Sequence, residues 1–464
     1  MSRLLKGGLA LGGTILALGA LRRALNPEPR YAAWEKPGYD KFEKKILIVG
    51  GGFGGFTTAK KLTELIKDRE DVGILVMARN NFFTFWPMVA SIVSNDTEAQ
   101  NVAQPLRRAL IMAGASFRRA ELKEIDHENK VVKAAGGPDG ELEFPYDQLV
   151  IALGGEPNFF GIPGVEEHSL TMRGVNDAER IRNRVIERFE EVTLMGDIPE
   201  SKLTFVVIGG GATGVETASE LYTLVHEVLA PDYPNIDPHR VRIFLLEALD
   251  HILPELDPVL RRSARSRLAN QRIEVRTEAL AEEITADRVE LKGGDEIMTE
   301  NVIWTAGNRP NAAIYDLDLP IDEQNGIKVN EYLQVEDHPG IWAIGDCAAI
   351  PDIREENGGI IPPNAQAAVQ EGKTLAKNIL ATLDGKELTA FEYKPQGQLV
   401  ELGSDFAVNE VMGVRFTGRL ASIFWRLAYL TRLDSPQSKA RIVTDWIISF
   451  FLRPAVTQFR DTEE

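Results

Sequence analysis

The 464-residue chain has one cysteine, Cys347. A lone thiol forms no disulfide within the chain, no Cys-x-x-Cys redox pair and no thiolate metal cage. Histidine is also scarce. His127, His168, His226, His239, His251 and His338 are scattered without ligand spacing, and no His-Glu-x-x-His occurs. Each reads as a surface or satisfied core histidine, so no metal site is expected. Positive charge is short as well: 52 Lys and Arg against 69 Asp and Glu leave a net −17, which argues against a nucleic-acid partner. Long apolar runs are missing but for one. Residues 7–21, GGLALGGTILALGAL, span roughly 22 Å as a helix, short of a bilayer core of about 30 Å. With Leu4 and Leu5 added and Lys6 snorkelling, a crossing just becomes feasible. A secretory signal is the rival reading, but Arg22-Arg23 follow the run directly, which favours an uncleaved anchor over 1–25.

The positive charge that is present gathers near the end. Residues 411–460 carry eight Lys and Arg and two acids, Asp434 and Asp445, so this segment is +6 and the remainder −23. Such asymmetry points the tail toward an anionic lipid surface. Within it, RLASIFWRLAYLTRL (419–433) sets Arg419, Ser422 and Arg426 on one side of a helix. Ile423, Phe424, Leu427, Tyr429 and Leu430 cover the other. ARIVTDWIISFFLRP (440–454) repeats the theme and is too short to cross a bilayer. Both read as interfacial helices, and docking on the protein or on another subunit is the alternative.

Between the ends, one unit recurs. Residues 26–44 are proline-containing and charged, a linker. KILIV is a short buried strand, FGGFTTAKKLTELIKD a helix and VGILVMA the next strand, a βαβ unit. Alternating segments through LEFPYDQLVIAL form a small antiparallel excursion that ends on a core strand. After Gly164 the pattern restarts with a charged helix, a strand, a glycine turn and a long helix. The expected divisions are 45–165 with 325–395 as one nucleotide-binding domain, 166–324 as a second, and 396–464 as a membrane-associating tail. The fold class is α/β with two Rossmann-like domains.

The two glycine turns carry the chemistry. In Gly50-x-Gly52-x-x-Gly55 the first glycine turns the chain, the second admits a pyrophosphate and the third lets helix and strand pack closely. Unpaired N–H groups at the helix start then face phosphate. Gly209-x-Gly211-x-x-Gly214 repeats the set 159 residues later. Each follows an apolar strand and opens a helix, the context that gives the motif meaning. FLLEALDHILP ends the strand after the second turn with Glu247, whose carboxylate can accept both ribose hydroxyls and repels a 2′-phosphate, favouring NADH. After the first turn, Ala78 stands where that acid is expected, followed by Arg79 and Asn80. An adenosine held along a long flavin dinucleotide tolerates that loss better than a diffusible nicotinamide does.

ILIVGGGFGGF, VIGGGATGVETASEL, LLEALDHILPELDP, VIWTAGNRPN, IWAIGDCAAIP and PPNAQAAVQEG occur in this order. Together they resemble the type II NADH dehydrogenases, single-chain NADH:quinone oxidoreductases of the two-dinucleotide-binding-domain flavoprotein superfamily, over about residues 45–455. The resemblance implies FAD on Gly50, Gly52, Gly55, Asp346 and Ala365, and NADH on Gly209, Gly211, Gly214, Glu247 and the Thr305-Ala306-Gly307 turn. It places Gln366 and Gln370 near the flavin ring, where NADH and quinone meet it. It implies hydride transfer to the flavin, then two electrons to a membrane quinone, without proton pumping. The sequence departs from the family at Ala78 and at Leu153, which replaces a threonine.

Read from the residues alone, Gln366 and Gln370 share a helix face and are equally surface glutamines. Glu216 is a candidate proton relay, and equally a charge that suits a helix dipole. A lone Cys347 excludes the cysteine relays of disulfide and sulfide:quinone reductases, so electrons leave the flavin directly to an external acceptor. The catalytic part is expected to face the cytoplasm, with the tail and the N-terminal segment on the bilayer, and a homodimer is left open. Two other readings remain: an NADH-dependent reductase of a soluble electron-carrier protein, and a flavin-bound membrane interaction protein with vestigial redox chemistry.

Overall fold

The computed structural model describes residues 38–137, 140–323, 325–355, 358–452, 454 and 456–458. The expected anchor over 1–25 lies outside them, as does most of the 26–44 linker. The end of that linker belongs to the body. Tyr39 is buried with its hydroxyl donating to the Pro145 carbonyl at 2.9 Å, and Lys44 already pairs in the first strand.

Two parallel five-stranded sheets form the framework. In the first, β1 (Lys44–Val49) is central. The helix α1 (Phe53–Leu65) leads from it to β2 (Val72–Ala78), and β3 (Ser116–Arg119) lies outside β2. On the other side of β1 lies β4 (Gln148–Ile151). The second sheet begins at its edge with β5 (Ser169–Thr171), followed by the long helix α2 (Val175–Thr193). Its central strand β6 (Thr204–Ile208) leads into α3 (Ala212–Thr223), which a π-helical turn, Leu224–Leu229, continues. Then follow β7 (Arg242–Leu246), α4 (Pro258–Asn270), β8 (Ile273–Arg276) and β9 (Asn301–Trp304). The chain returns to close the first sheet with β10 (Ile341–Ala343) beside β4.

The sheet orders, β10-β4-β1-β2-β3 and β5-β9-β6-β7-β8, have the same arrangement around the strand that precedes each glycine turn. β1 from Ile46 to Val49 and the whole of β6 are buried because helices and connecting chain cover both faces. That is why they read as continuous apolar runs and not as alternation. After β10, α5 (Ala365–Leu383) packs along α1 with Gly372 against the backbone of Gly54 and Thr58.

The tail is a three-stranded antiparallel sheet of β11 (Gly397–Glu401), β12 (Ala407–Val411) and β13 (Val414–Gly418), then α6 (Arg419–Arg432) and α7 (Pro436–Phe451). On α6 the side turned to the body includes the polar one: Ser422 is 3% exposed and Arg426 is partly buried, whereas Leu420, Ile423, Phe424 and Leu427 are exposed at 78%, 54%, 40% and 56%. On α7, Ile447 and Ile448 are exposed. Tyr429 and Leu430, expected among the outward apolar residues, instead pack against the core. No described helix is long and apolar enough to cross a membrane.

Candidate functional site

Each glycine turn is built as its spacing requires. Gly50 has φ +118° and Gly209 has φ +115°, a region that glycine adopts without strain. A Cβ on Gly55 would lie 2.1 Å from the Gly50 carbonyl oxygen, and one on Gly214 1.8 Å from that of Gly209. The third glycine is therefore a packing requirement. Gly52 and Gly211 cap α1 and α3 with no side-chain cap, and a Cβ on either meets nothing within 4 Å. The first-turn N–H groups of both helices are thus left for a ligand.

A cavity of about 660 Å³ opens over the first turn. Its wall runs from Ala78, Arg79 and Asn80 at the end of β2, past Gly50–Gly54, to Leu153, Gly345, Asp346, Asn364, Ala365 and Ala368. Thr213 at the start of α3 and Thr305-Ala306-Gly307 after β9 complete it from the other half. Such a trough, with bare helix N–H groups in the middle and a carboxylate beside them, fits a flavin dinucleotide. Gly307, expected on NADH, lines this same cavity.

Of the second turn only Thr213 reaches that lining; Gly209, Gly211 and Gly214 lie outside it, as do Glu216, Glu247, Gln366 and Gln370. Glu247 closes β7 as expected. It accepts from the Gly210 N–H at 2.6 Å and the Leu249 N–H at 2.8 Å, which leaves lone pairs for ribose hydroxyls. Gln366 donates to the Gly397 carbonyl at 2.6 Å and accepts from the Gln396 N–H at 3.1 Å. Gln370 donates to the Lys394 carbonyl at 2.9 Å and accepts from its N–H at 3.1 Å. In this arrangement both glutamines clasp the chain leading into β11, and it is their neighbours Ala365 and Ala368 that face the cavity.

Glu216 caps nothing. It is the fifth residue of α3, and its Oε1 accepts from the Glu401 N–H at 3.1 Å. Burial pushes its carboxyl up to about 8, and the nearby Glu401 charge adds to the shift.

Three groups escaped the sequence. Arg173 lines the cavity with its guanidinium 5.6 Å from the centre of the Trp86 ring. It donates to Asn308 Oδ1 at 2.7 Å, and Asn308 Nδ2 donates to Asp346 Oδ2 at 2.7 Å, a chain that ties the two halves together. Burial draws the Arg173 pKa below the usual arginine value, with Asp346 opposing. Glu371, 2% exposed, accepts from the Gly345 N–H at 2.7 Å and so holds the turn that presents Asp346; burial pushes it up to about 8. Glu121 lines the cavity near Ala78, since the Ala120 N–H donates to the Ala78 carbonyl at 3.1 Å. It puts a carboxylate where β2 lacks one. No motif marks Arg173 or Glu121, because loop and strand pairing alone bring them in; only Glu371 belongs to a family-like stretch, PPNAQAAVQEG.

Cys347 is fully buried, and burial raises its thiol to about 12. It donates to the Ile344 carbonyl at 3.3 Å, a packing residue without thiolate character.

Two glycine cradles on matching parallel sheets, with one cavity walled by both halves, define an oxidoreductase that brings two dinucleotides together. The family profile of the pyridine nucleotide-disulphide oxidoreductases matches residues 44–372. A probable NADH dehydrogenase of Dictyostelium discoideum is 31% identical over 90% of this chain and 91% of its own. The type II NADH:quinone oxidoreductase of Haemophilus influenzae is 30% identical over 79% of this chain and 87% of its own. The structure of NDH2 from Plasmodium falciparum in complex with NADH superimposes with a TM-score of 0.81 at 20% identity, over 89% of this chain and 100% of that one. The chain belongs to the pyridine nucleotide-disulphide oxidoreductase family and, within it, to the type II NADH dehydrogenases.

Proposed function

We infer that this protein is an FAD-dependent enzyme that oxidises NADH and reduces a quinone without pumping protons. One observation carries the reading: a single cavity is walled by the first glycine turn and by Thr213 and Thr305–Gly307 of the second half. FAD held there would supply the hydride acceptor and the relay of an electron pair. The chain's own residues do the rest. Gly50, Gly52 and Gly55 would admit the pyrophosphate to the start of α1, and Asp346, held by Asn308 and by the Glu371-braced turn, would accept from hydroxyls of the linking chain. Gly209, Gly211 and Gly214 would take the NADH pyrophosphate, and Glu247 its adenosine ribose. Gln366 and Gln370 set the strand that flanks the acceptor side. We assign 45–165 and 325–395 to the FAD half, 166–324 to the NADH half and 396–464 to the tail.

The exposed apolar sides of α6 and α7, set within a basic segment, support seating on an anionic bilayer from which the quinone enters. On that reading the enzyme lies on the membrane with its catalytic body toward the cytoplasm. The experiment is a visible spectrum of the purified protein. Anaerobic NADH should bleach a flavin band, and added short-chain quinone should restore it. A flavin that NADH leaves oxidised would sink the reading. Faster re-oxidation by a carrier protein than by quinone would favour the soluble-acceptor alternative.

A further inference from the structure

Behind Glu216 lies a cluster of ionisable side chains that the reading above does not use. Asp96, Glu220 and Glu401 are 8%, 4% and 6% exposed. They come from three separate elements: the loop after β2, the helix α3 and the strand β11. Among the described residues, one cation pairs with two of them, Asp96 and Glu401. Arg426 of α6 donates from Nη2 to Asp96 Oδ2 at 2.9 Å and from Nε to Glu401 Oε1 at 3.3 Å. The Ser422 hydroxyl, one turn earlier on α6, donates to the same Glu401 oxygen at 2.9 Å. Ser94 donates to Glu220. The Glu401 N–H closes the chain onto Glu216.

With Glu216, which joins through the Glu401 N–H, the group counts four carboxylates and one guanidinium, bonded to Asp96 and Glu401. Full ionisation would leave a net −3 in a desolvated space, so the group holds protons near neutrality. Burial pushes Glu401 up to about 7, against the pull of Arg426, and Glu216 up to about 8. Asp96 and Glu220 are raised as well, first by burial. The other charged or titratable groups that bear on the cluster are Glu227, Asp445 and Tyr429. Tyr429 connects the cluster to the cavity: its ring lies 5.9 Å edge-on from Phe85, next to the cavity-lining Trp86.

We propose that Glu401, clamped by Arg426 and Ser422 of α6, is a positioning residue that sets the protonation of Glu216, so that the seating of the apolar-faced helix governs proton delivery to the quinone. The proposal rests on the quinone-reductase reading. In NADH + H⁺ + quinone → NAD⁺ + quinol, the hydride carries two electrons and one proton. The second proton comes from water, and Glu216 gives it to a quinone oxygen and regains one from solvent. An ionised Glu401 makes Glu216 keep its proton to higher pH. Arg426 favours the ionised form of Glu401 against burial, so α6 acts on Glu216 through Glu401.

The test compares two acceptors over a pH series. Quinone needs protons, whereas ferricyanide takes electrons alone. In the wild-type enzyme the quinone rate should fall on the alkaline side as Glu216 loses its proton. In Glu401→Gln that limb should move down by about one pH unit, because a nearby like charge has been removed. The quinone-to-ferricyanide ratio should then fall about five-fold near pH 8 and about two-fold near pH 7. Arg426→Met should shift the limb the same way, since Glu401 then turns neutral, and Arg426→Lys should restore it. If Glu401→Gln does not fold, the Arg426 pair decides alone. An unmoved limb, or quinone and ferricyanide rates that fall in step, overturns the proposal. A wild-type enzyme that reduces no quinone overturns the underlying reading instead.

Discussion

Alanine at Gly211 and alanine at Gly214 should separate ligand binding from folding within one turn. A Cβ at Gly214 would lie 1.8 Å from the Gly209 carbonyl oxygen and 2.7 Å from Thr305 Oγ1. Ordinary contact begins about 1.5 Å further out, so α3 must lift from β6. Overpacking of this kind costs about 1–3 kcal/mol or more, a fall in melting temperature of roughly 2–4 °C per kcal/mol. At Gly211 a Cβ meets nothing within 4 Å, and φ −69°, ψ −179° is open to alanine. Lower unfolded-state entropy favours alanine there by about 0.4–1 kcal/mol, and the loss of a good N-cap residue opposes it by a similar amount. Gly211→Ala should therefore melt within a few degrees of wild type and keep its flavin. Its KM for NADH should rise at least tenfold, because the methyl stands where the pyrophosphate approaches. Gly52→Ala should likewise fold but lose flavin. The assays are differential scanning calorimetry, the visible spectrum and NADH titration. A Gly211→Ala enzyme with wild-type NADH affinity, or a Gly214→Ala enzyme with wild-type melting, would refute the division of roles.

Three further outcomes follow from the site. Glu121→Ala should release FAD more readily on dialysis, read as flavin per protein, if Glu121 supplies the carboxylate that Ala78 does not; equal retention removes it from the site. Glu371 is held neutral in the fold, with a carboxyl near 8 against about 4.3 in the unfolded chain. Its contribution is whole at low pH and is lost as pH climbs through about 8, since the folded state binds the extra proton. Melting should therefore come earlier at about pH 8.5 than at about pH 5.5, and Glu371→Gln, which keeps an acceptor for the Gly345 N–H, should flatten that difference by a few degrees. Leu427→Asp with Ile447→Asp should cut flotation with anionic vesicles while NADH:ferricyanide activity persists; unchanged flotation would place the lipid contact elsewhere.

Much of the fold was legible because strong local rules met at the same residues. β1 and β6 are apolar runs that stop at glycine, and each glycine spacing reports a demand of backbone geometry that holds wherever the turn sits. The place of Glu247 at the end of β7 followed from the same βαβ unit. The tail helices were legible too, but not their orientation throughout. Helical spacing marks a polar and an apolar side without saying which turns inward, and Ser422 and Arg426 turn inward because Asp96 and Glu401 wait there.

What the sequence determined by itself was therefore the pair of nucleotide cradles, the absence of a cysteine relay and the amphipathic end, all set by residue type over short spans. Tertiary structure alone decided that Gln366 and Gln370 clasp backbone beside the cavity, that Glu121 stands next to Ala78, and that Asp96 and Glu401 share Arg426. Those facts depend on which distant segments meet. Desolvation and charge pairing act through space, and neither leaves a periodicity in the chain.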